Sequence, residues 1–349
     1  EERSKKPVGI HWLQAASVQL FEPITHRLNA IWPYRLPSAL GALMAALAAF
    51  WAGRALIGPR AALLGAALFA ASLSLGFEGM TAKTDAALCG FTTLALAALA
   101  QLYARSPSPR VEGAGGGTNL SALGVVQNST DASATDASPL PPPPPSRFTA
   151  RPVKRPNRFA IGRGRGLALL FWAALGAAIL IKGPIAPLVA ILTLVPLGLW
   201  EKRWRWMKPL AWWPGPPLML LIVLPWMVAI YAATDGRFFA EAIGHDLGSK
   251  IAGGSEGHSG WPGYHALLLP LLIFPASFAL PFAARLGWQT LRAPRAEEAL
   301  RGLRFLLAWA LPSFIMFELT PNKLPHYPLP LNPAIALLSA AAIMAATRE

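Results

Sequence analysis

Charged residues are scarce in this sequence. They make up 14% of its 349 residues, against about 25% in a typical soluble domain, while 54% are hydrophobic and the mean hydropathy is +0.42. The single cysteine, Cys89, excludes a disulfide framework and a thiolate metal site. The net charge of +14 could suggest nucleic acid as a partner. The basic residues lie between apolar runs, however, so a membrane surface fits them better.

Long apolar runs divide the chain. A bilayer core about 30 Å thick needs roughly 20 apolar residues in a helix. We therefore predict an all-α, polytopic transmembrane helical bundle with about nine spans. The runs are 36–57, 61–77, 86–104, 166–181, 184–200, 211–231, 264–284, 303–319 and 329–346. A shorter stretch, 8–21, carries His11, Gln14 and Gln19, and we predict that it is an amphipathic helix at the membrane interface.

The loops differ in Lys and Arg content when they are assigned alternately to two sides. One side holds 21 of the 31 basic residues and the other holds ten. Because basic loops stay in the cytoplasm, the richer side is predicted to be cytoplasmic. The other side brings together the polar segments Lys5-Lys6-Pro7, 78–85, Lys182-Gly183-Pro184, 232–262 and 323–327. Lys, His and Tyr at the level of lipid headgroups suit a phosphate, which lysine binds as a point charge.

Simpler interpretations exist for the polar residues on this outer side. Asp85 follows Thr84 at the start of a predicted helix and could be only an N-cap, although a carboxylate there could also serve a glycosyl transfer. Lys182 could be a snorkelling side chain at a span end, and His245 an ordinary loop histidine. Composition and spacing alone predict a polytopic membrane protein with an outward site for an anionic lipid.

The chain is predicted to have three parts. Residues 1–105 form the N-terminal part of the membrane domain, and residues 161–349 form the remainder, with an outer loop at 232–262. Between them, 106–160 contains three successive glycines and the five prolines Pro141 to Pro145. Such a composition cannot form a packed core, so we predict a disordered cytoplasmic insertion.

Six short motifs follow one another along the chain. They are Lys6-Pro7 with Trp12-Leu13, Arg35-Leu36-Pro37-Ser38-Ala39, Ala82-Lys83-Thr84-Asp85, Lys182-Gly183-Pro184, Leu224-Pro225-Trp226 and Lys323-Leu324-Pro325-His326-Tyr327. In order and spacing this set resembles the ArnT/PMT-like GT-C glycosyltransferases. These are polytopic enzymes that take sugars from polyprenyl phosphates, and the most similar branch transfers 4-amino-4-deoxy-L-arabinose to lipid A.

The resemblance implies roles for individual residues. Asp85 and Lys83 would be catalytic. The residues that would bind the donor phosphate or the substrate are Lys6, Lys182, His245, Lys250, Lys323, His326 and Tyr327. The principal catalytic Asp of the family lies in its first outer loop, so we expect it, with the first span, upstream of Glu1.

Three positions depart from the family pattern. Lys83 and Lys250 stand where Arg is usual, and Lys lacks the planar fork that matches phosphate oxygens. Lys5 replaces an acidic residue, which argues against a metal ligand at that position. No cofactor is certain, and a divalent metal elsewhere in the site stays open.

The expected function is therefore an integral membrane glycosyltransferase. It would move a sugar from undecaprenyl phosphate to an envelope glycolipid such as lipid A, at the periplasmic face of the bacterial inner membrane. The expected partners are that donor, that acceptor and membrane lipids, with no nucleic acid. The alternatives are a protein O-mannosyltransferase-like enzyme and a non-catalytic lipid or sugar transporter, which would show repeats and broken helices near the midplane.

Overall fold

The computed structural model describes residues 7–25, 30–106, 158–240, 260–295 and 297–347. Helices are the secondary-structure elements of these residues, so the predicted all-α bundle is confirmed. They are α1 Gly9–Thr25, α2 Trp32–Leu56, α3 Pro59–Ala70, α4 Leu73–Gly79, α5 Asp85–Arg105, α6 Arg158–Lys182, α7 Ile185–Glu201, α8 Gly215–Thr234, α9 Arg237–Ala240, α10 Tyr264–Leu272, α11 Leu280–Arg292, α12 Arg301–Leu319 and α13 Asn332–Ala346. Short 3-10 turns cover Arg205–Ala211, Ala276–Ala279, Glu298–Leu300 and Leu329–Leu331.

The predicted count of nine spans is not confirmed. By length and composition, six helices of the described part could cross a membrane, namely α2, α5, α6, α8, α12 and α13. The count reaches eight if two bent pairs are each one span: α3 with α4, bent by 58°, and α10 with Ala276–Arg292, bent by 116°. The remaining run forms α7, whose 17 residues fall short of the roughly 20 that a straight span needs.

Helix α5 forms the centre of the bundle and packs against α2, α6 and α7. Its contact with α2 depends on small residues. A Cβ added to Gly41 would lie 2.5 Å from the Ala87 Cα, and one added to Gly90 would lie 2.6 Å from the Gly41 carbonyl oxygen. Such close backbone approach is typical of helix pairs in membranes. It fixes the position of α5 and therefore of Asp85, its first residue.

A buried polar cluster holds the opposite end of α5. The Tyr103 hydroxyl donates to Glu201 Oε1, and the Arg301 guanidinium donates to the Tyr103 carbonyl at 2.8 Å. The buried Arg304 donates to the carbonyl oxygens of Pro294 and Arg295 at 2.7 and 3.0 Å. These arginines belong to the side predicted to be cytoplasmic. Since α5 has 21 residues, this cluster lies about 30 Å from Asp85 along the helix.

Two predicted segments outside the spans have different outcomes. The predicted helix at 8–21 is present as α1, which extends to Thr25 and packs on α2 and α6. Its position at the membrane interface stays a prediction. Most of the predicted insertion, 107–157, lies outside the described residues, and α6 already begins at Arg158. The three-part division of the chain therefore also stays a prediction.

Candidate functional site

Asp85 and Lys182 form an ion pair where two helices meet. Lys182 Nζ lies 2.5 Å from Asp85 Oδ1, and the two side chains are 25% and 9% exposed, respectively. Asp85 is the first residue of α5 and Lys182 the last of α6. Helix ends favour these charges, because an anion suits an N-terminus and a cation a C-terminus. The N-cap of α5 is Thr84, so Asp85 is not the N-cap, and its carboxylate binds the ammonium instead.

His326 lies between two carboxylates. Its Nε2 is 3.6 Å from Asp85 Oδ1, and its Nδ1 is 3.7 Å from Glu78 Oε1. Glu78 belongs to α4 and is 2% exposed, and its Oε2 has no hydrogen-bond partner. From the sequence, Glu78 is only part of an outer polar segment, and no role is predicted for it. The signal that could have identified it was an acidic residue placed directly after the apolar run 61–77.

Tyr327 completes the group. Its ring centre lies 5.6 Å from Lys182 Nζ, a cation–π distance, and its ring meets the His326 ring edge-on at 5.4 Å. The ammonium of Lys182 therefore lies between a carboxylate and an aromatic face. Four predicted site residues come together here, and we call Asp85, Lys182, His326 and Tyr327 the outer cluster.

Two other predicted residues lie elsewhere. The Lys83 side chain is exposed, and its Nζ lies 5.3 Å from the centre of the Phe77 ring. Lys323 is buried at 4% exposure, and its Nζ donates to carbonyl oxygens at the C-terminal end of α12, including that of Thr320 at 2.9 Å. The structure therefore does not bring the Lys323 ammonium to the outer cluster.

The other predicted site residues, Lys6, His245 and Lys250, lie outside the described residues. Among the residues that are described, no group of three or more His, Cys, Asp or Glu side chains could hold a metal ion. The divalent metal that the sequence left open therefore has no candidate centre in this part of the chain.

The outer cluster has a definite chemical capacity. One ammonium, one imidazole and one phenol within a few ångströms can bind a phosphate and neutralise its charge. The adjacent carboxylates can orient these groups or accept a proton. Because α5, α6 and the segment before α13 contribute the side chains of the cluster, and α4 contributes the neighbouring Glu78, the arrangement depends on packing between segments that are far apart in sequence.

Comparison with solved structures identifies the class of fold. ArnT from Cupriavidus metallidurans bound to undecaprenyl phosphate superposes with a TM-score of 0.72 at 23% identity, covering 98% of this chain and 50% of that chain. The apo structure of the same protein gives 0.69 at 22%, covering 97% and 49%. The chain therefore has the GT-C fold of a multi-pass membrane protein.

Sequence comparisons point to the same group of proteins. Residues 5–109 match the model described as dolichyl-phosphate-mannose-protein mannosyltransferase. The undecaprenyl phosphate-alpha-4-amino-4-deoxy-L-arabinose arabinosyl transferases of Pseudomonas paraeruginosa and Shewanella sediminis are 33% and 31% identical, each over 199 residues. These matches cover 55% and 52% of this chain. The chain is similar in sequence and in fold to the ArnT/PMT-like GT-C family, and it spans about a third of the length of these relatives, at 34% and 31%.

Proposed function

We propose that the protein is an integral membrane glycosyltransferase that takes its sugar from undecaprenyl phosphate. The proposed sugar is 4-amino-4-deoxy-L-arabinose, and the proposed acceptor is an envelope glycolipid, lipid A in particular. The observation that carries the proposal is the outer cluster, in which Lys182 lies 2.5 Å from Asp85 and 5.6 Å from the Tyr327 ring. The names of the relatives support the choice of donor and sugar.

Charge neutralisation is the main task of the proposed site. In the transfer, an acceptor oxygen bonds to the anomeric carbon as the bond from that carbon to the donor phosphate oxygen breaks. Undecaprenyl phosphate leaves with the bonding electrons, so negative charge develops on the phosphate. Lys182 would stabilise this charge, with the Tyr327 ring beside it. Asp85 would hold the ammonium in place before the donor binds, which reduces the reorganisation needed during the reaction.

The acceptor decides whether a base is needed. A phosphate group on lipid A is already ionised, so the protein has mainly to position it. A hydroxyl acceptor would have to lose a proton, which the Asp85 carboxylate or the His326 imidazole could accept. The predicted roles of Lys6, Lys83, His245 and Lys250 in binding or catalysis stay proposals.

The charged residues at the two ends of the bundle support a periplasmic site in the bacterial inner membrane. Arg301 and Arg304 mark one end, and basic residues concentrate on the cytoplasmic side of membrane proteins. The outer cluster lies at the other end of α5. A transporter would instead place its polar groups near the midplane, between broken helices.

The test uses membranes that contain the full-length protein. They are mixed with undecaprenyl-phosphate aminoarabinose and lipid A, and products are identified by mass spectrometry. We expect lipid A to gain the mass of the sugar, and Asp85→Asn combined with Lys182→Ala to abolish that gain. Arg203→Gln is the matched control, because it breaks an ion pair with Glu298 at the cytoplasmic end, where N and O are 3.1 Å apart.

Three results would contradict the proposal. Retained transfer in the double variant would remove the outer cluster from the mechanism. Sugar found on a polypeptide instead of lipid A would favour the protein O-mannosyltransferase alternative, which the description of the matching family model also suggests. Movement of the donor across the membrane without any product would favour a transporter.

A further inference from the structure

A carboxylate in the last turn of α12 holds the first turn of α10. Glu318 Oε2 accepts the backbone N–H of Gly263 at 3.0 Å, and its Oε1 accepts that of Ala266 at 2.6 Å. The first N–H groups of a helix have no partner within it, and the helix dipole favours a negative charge there. Glu318 therefore acts as the N-terminal cap of a helix other than its own.

An ammonium caps the end of α12 itself. Lys323 Nζ donates to the carbonyl oxygens of Phe317 at 3.3 Å, Glu318 at 2.5 Å and Thr320 at 2.9 Å. A cation is favoured at a helix C-terminus, where the last carbonyl groups lack partners. Nζ also lies 3.7 Å from Glu318 Oε2, and the two side chains are 1% and 14% exposed. We call Glu318 and Lys323 the helix-end pair.

The helix-end pair is connected to the outer cluster through His265. This histidine is the second residue of α10 and is completely buried. Its Nε2 lies 3.1 Å from the Leu324 carbonyl oxygen, and its ring stacks on Tyr327 at 6.5 Å. Phe317 contacts the Tyr327 ring at 6.1 Å. The segment that carries His326 and Tyr327 is thus attached to the ends of both helices.

From these contacts we infer that Glu318 and Lys323 are positioning residues for the proposed transfer. They hold Tyr327 and His326 at the right distance from Lys182 and do not touch the donor. The inference rests on the proposed function, and it gives Lys323 a role different from the phosphate contact that its motif implied. A displacement of about 1 Å in such a site can lower the rate about 100-fold.

The first experiment measures kinetics with the full-length protein. Glu318→Gln keeps the shape of the side chain and removes its charge. We expect kcat for transfer to fall about 10-fold while KM for the donor changes little, because the donor's own contacts remain. In a Tyr327→Leu background the same substitution should change kcat by less than about 2-fold, since residues that act through one another are not additive. Arg203→Gln, at the other end of the bundle, is the control and should leave kcat unchanged.

A charge exchange separates this arrangement from a simple ion pair. Glu318→Lys combined with Lys323→Glu keeps two opposite charges face to face, so an ordinary ion pair would regain its activity. In the helix-end pair, the exchange places an ammonium at the start of α10 and a carboxylate at the end of α12. Both charges are unfavourable there, because each has the same sign as the adjacent end of the helix dipole. We expect kcat to stay at least as low as in Glu318→Gln, and full recovery would overturn the inference.

Hydrogen exchange separates the inference from the proposed function. In Glu318→Gln, the amides of 321–327 should exchange about 10-fold faster, while those of α5 stay unchanged. The inference is overturned if the amides of 321–327 exchange at an unchanged rate. It is also overturned if Glu318→Gln lowers kcat by the same factor in the Tyr327→Leu background as in the wild type. Faster exchange in a protein whose wild type transfers no sugar supports the positioning of Tyr327 and contradicts only the proposed function.

Discussion

Removing Lys182 should affect stability and activity in separable ways. At the observed distance of 2.5 Å, two unit charges attract by about 7 kcal/mol at an effective dielectric constant near 20. Desolvation of both groups cancels most of this attraction, and the quarter-exposed Lys182 is also screened by solvent. We therefore expect a net coupling free energy of about 1–3 kcal/mol between Asp85 and Lys182.

The two single variants should differ in stability. Lys182→Met removes the ammonium from the 9% exposed Asp85 carboxylate and leaves it with His326, 3.6 Å away, and the Thr84 hydroxyl, 3.4 Å away. This substitution should lower the free energy of unfolding by about 2 kcal/mol. Asp85→Asn leaves an ammonium that can reach water and should lower it by about 1 kcal/mol. The double variant has no unpaired charge, so it should be more stable than the sum of the two losses predicts.

The transfer activity should not be regained together with the stability of the double variant. Loss of the ammonium removes the group that neutralises the leaving phosphate, so Lys182→Met should lower kcat about 100-fold or more, and adding Asp85→Asn should restore none of it. The assays are unfolding of the purified full-length protein in detergent and transfer of the sugar to lipid A. Strictly additive losses of stability would show that the two groups are not coupled, and restored transfer would show that Lys182 does not act on the phosphate.

Two further substitutions test the cluster and the packing beneath it. Glu78→Gln should lower kcat about 10-fold, because the amide holds the His326 imidazole less firmly. It should not lower the free energy of unfolding, because the buried carboxylate oxygen that it replaces has no hydrogen-bond partner and is costly to bury. A pH–rate profile and an unfolding curve would record the two effects, and unchanged kcat would exclude Glu78 from the site. Gly41→Ala should destabilise the bundle by about 1–3 kcal/mol, because its Cβ would meet Ala87. Gly76→Ala is the control, with nothing within 4 Å of the added atom, and equal amounts of both variants in membranes would contradict the close packing of α2 and α5.

Local patterns were sufficient to predict the kind of fold and several residues of the candidate site. The apolar runs predicted helices because a membrane requires every backbone group to be bonded within its own segment. The order of the motifs indicated the family, and it included Asp85, Lys182, His326 and Tyr327. All of these signals come from composition and from spacing along the chain.

The tertiary structure decided what those patterns cannot encode. The pairing of Asp85 with Lys182 joins residues 97 positions apart, and the place of His326 between two carboxylates joins three segments. Lys323 is a second example, because the resemblance of its motif implied a contact with the substrate, whereas its ammonium caps α12. The number of spans also depended on bends of 58° and 116° that hydropathy does not reveal. Length and apolar character are properties of a segment, whereas the partner of a buried charge is set by which helix ends the packing brings together.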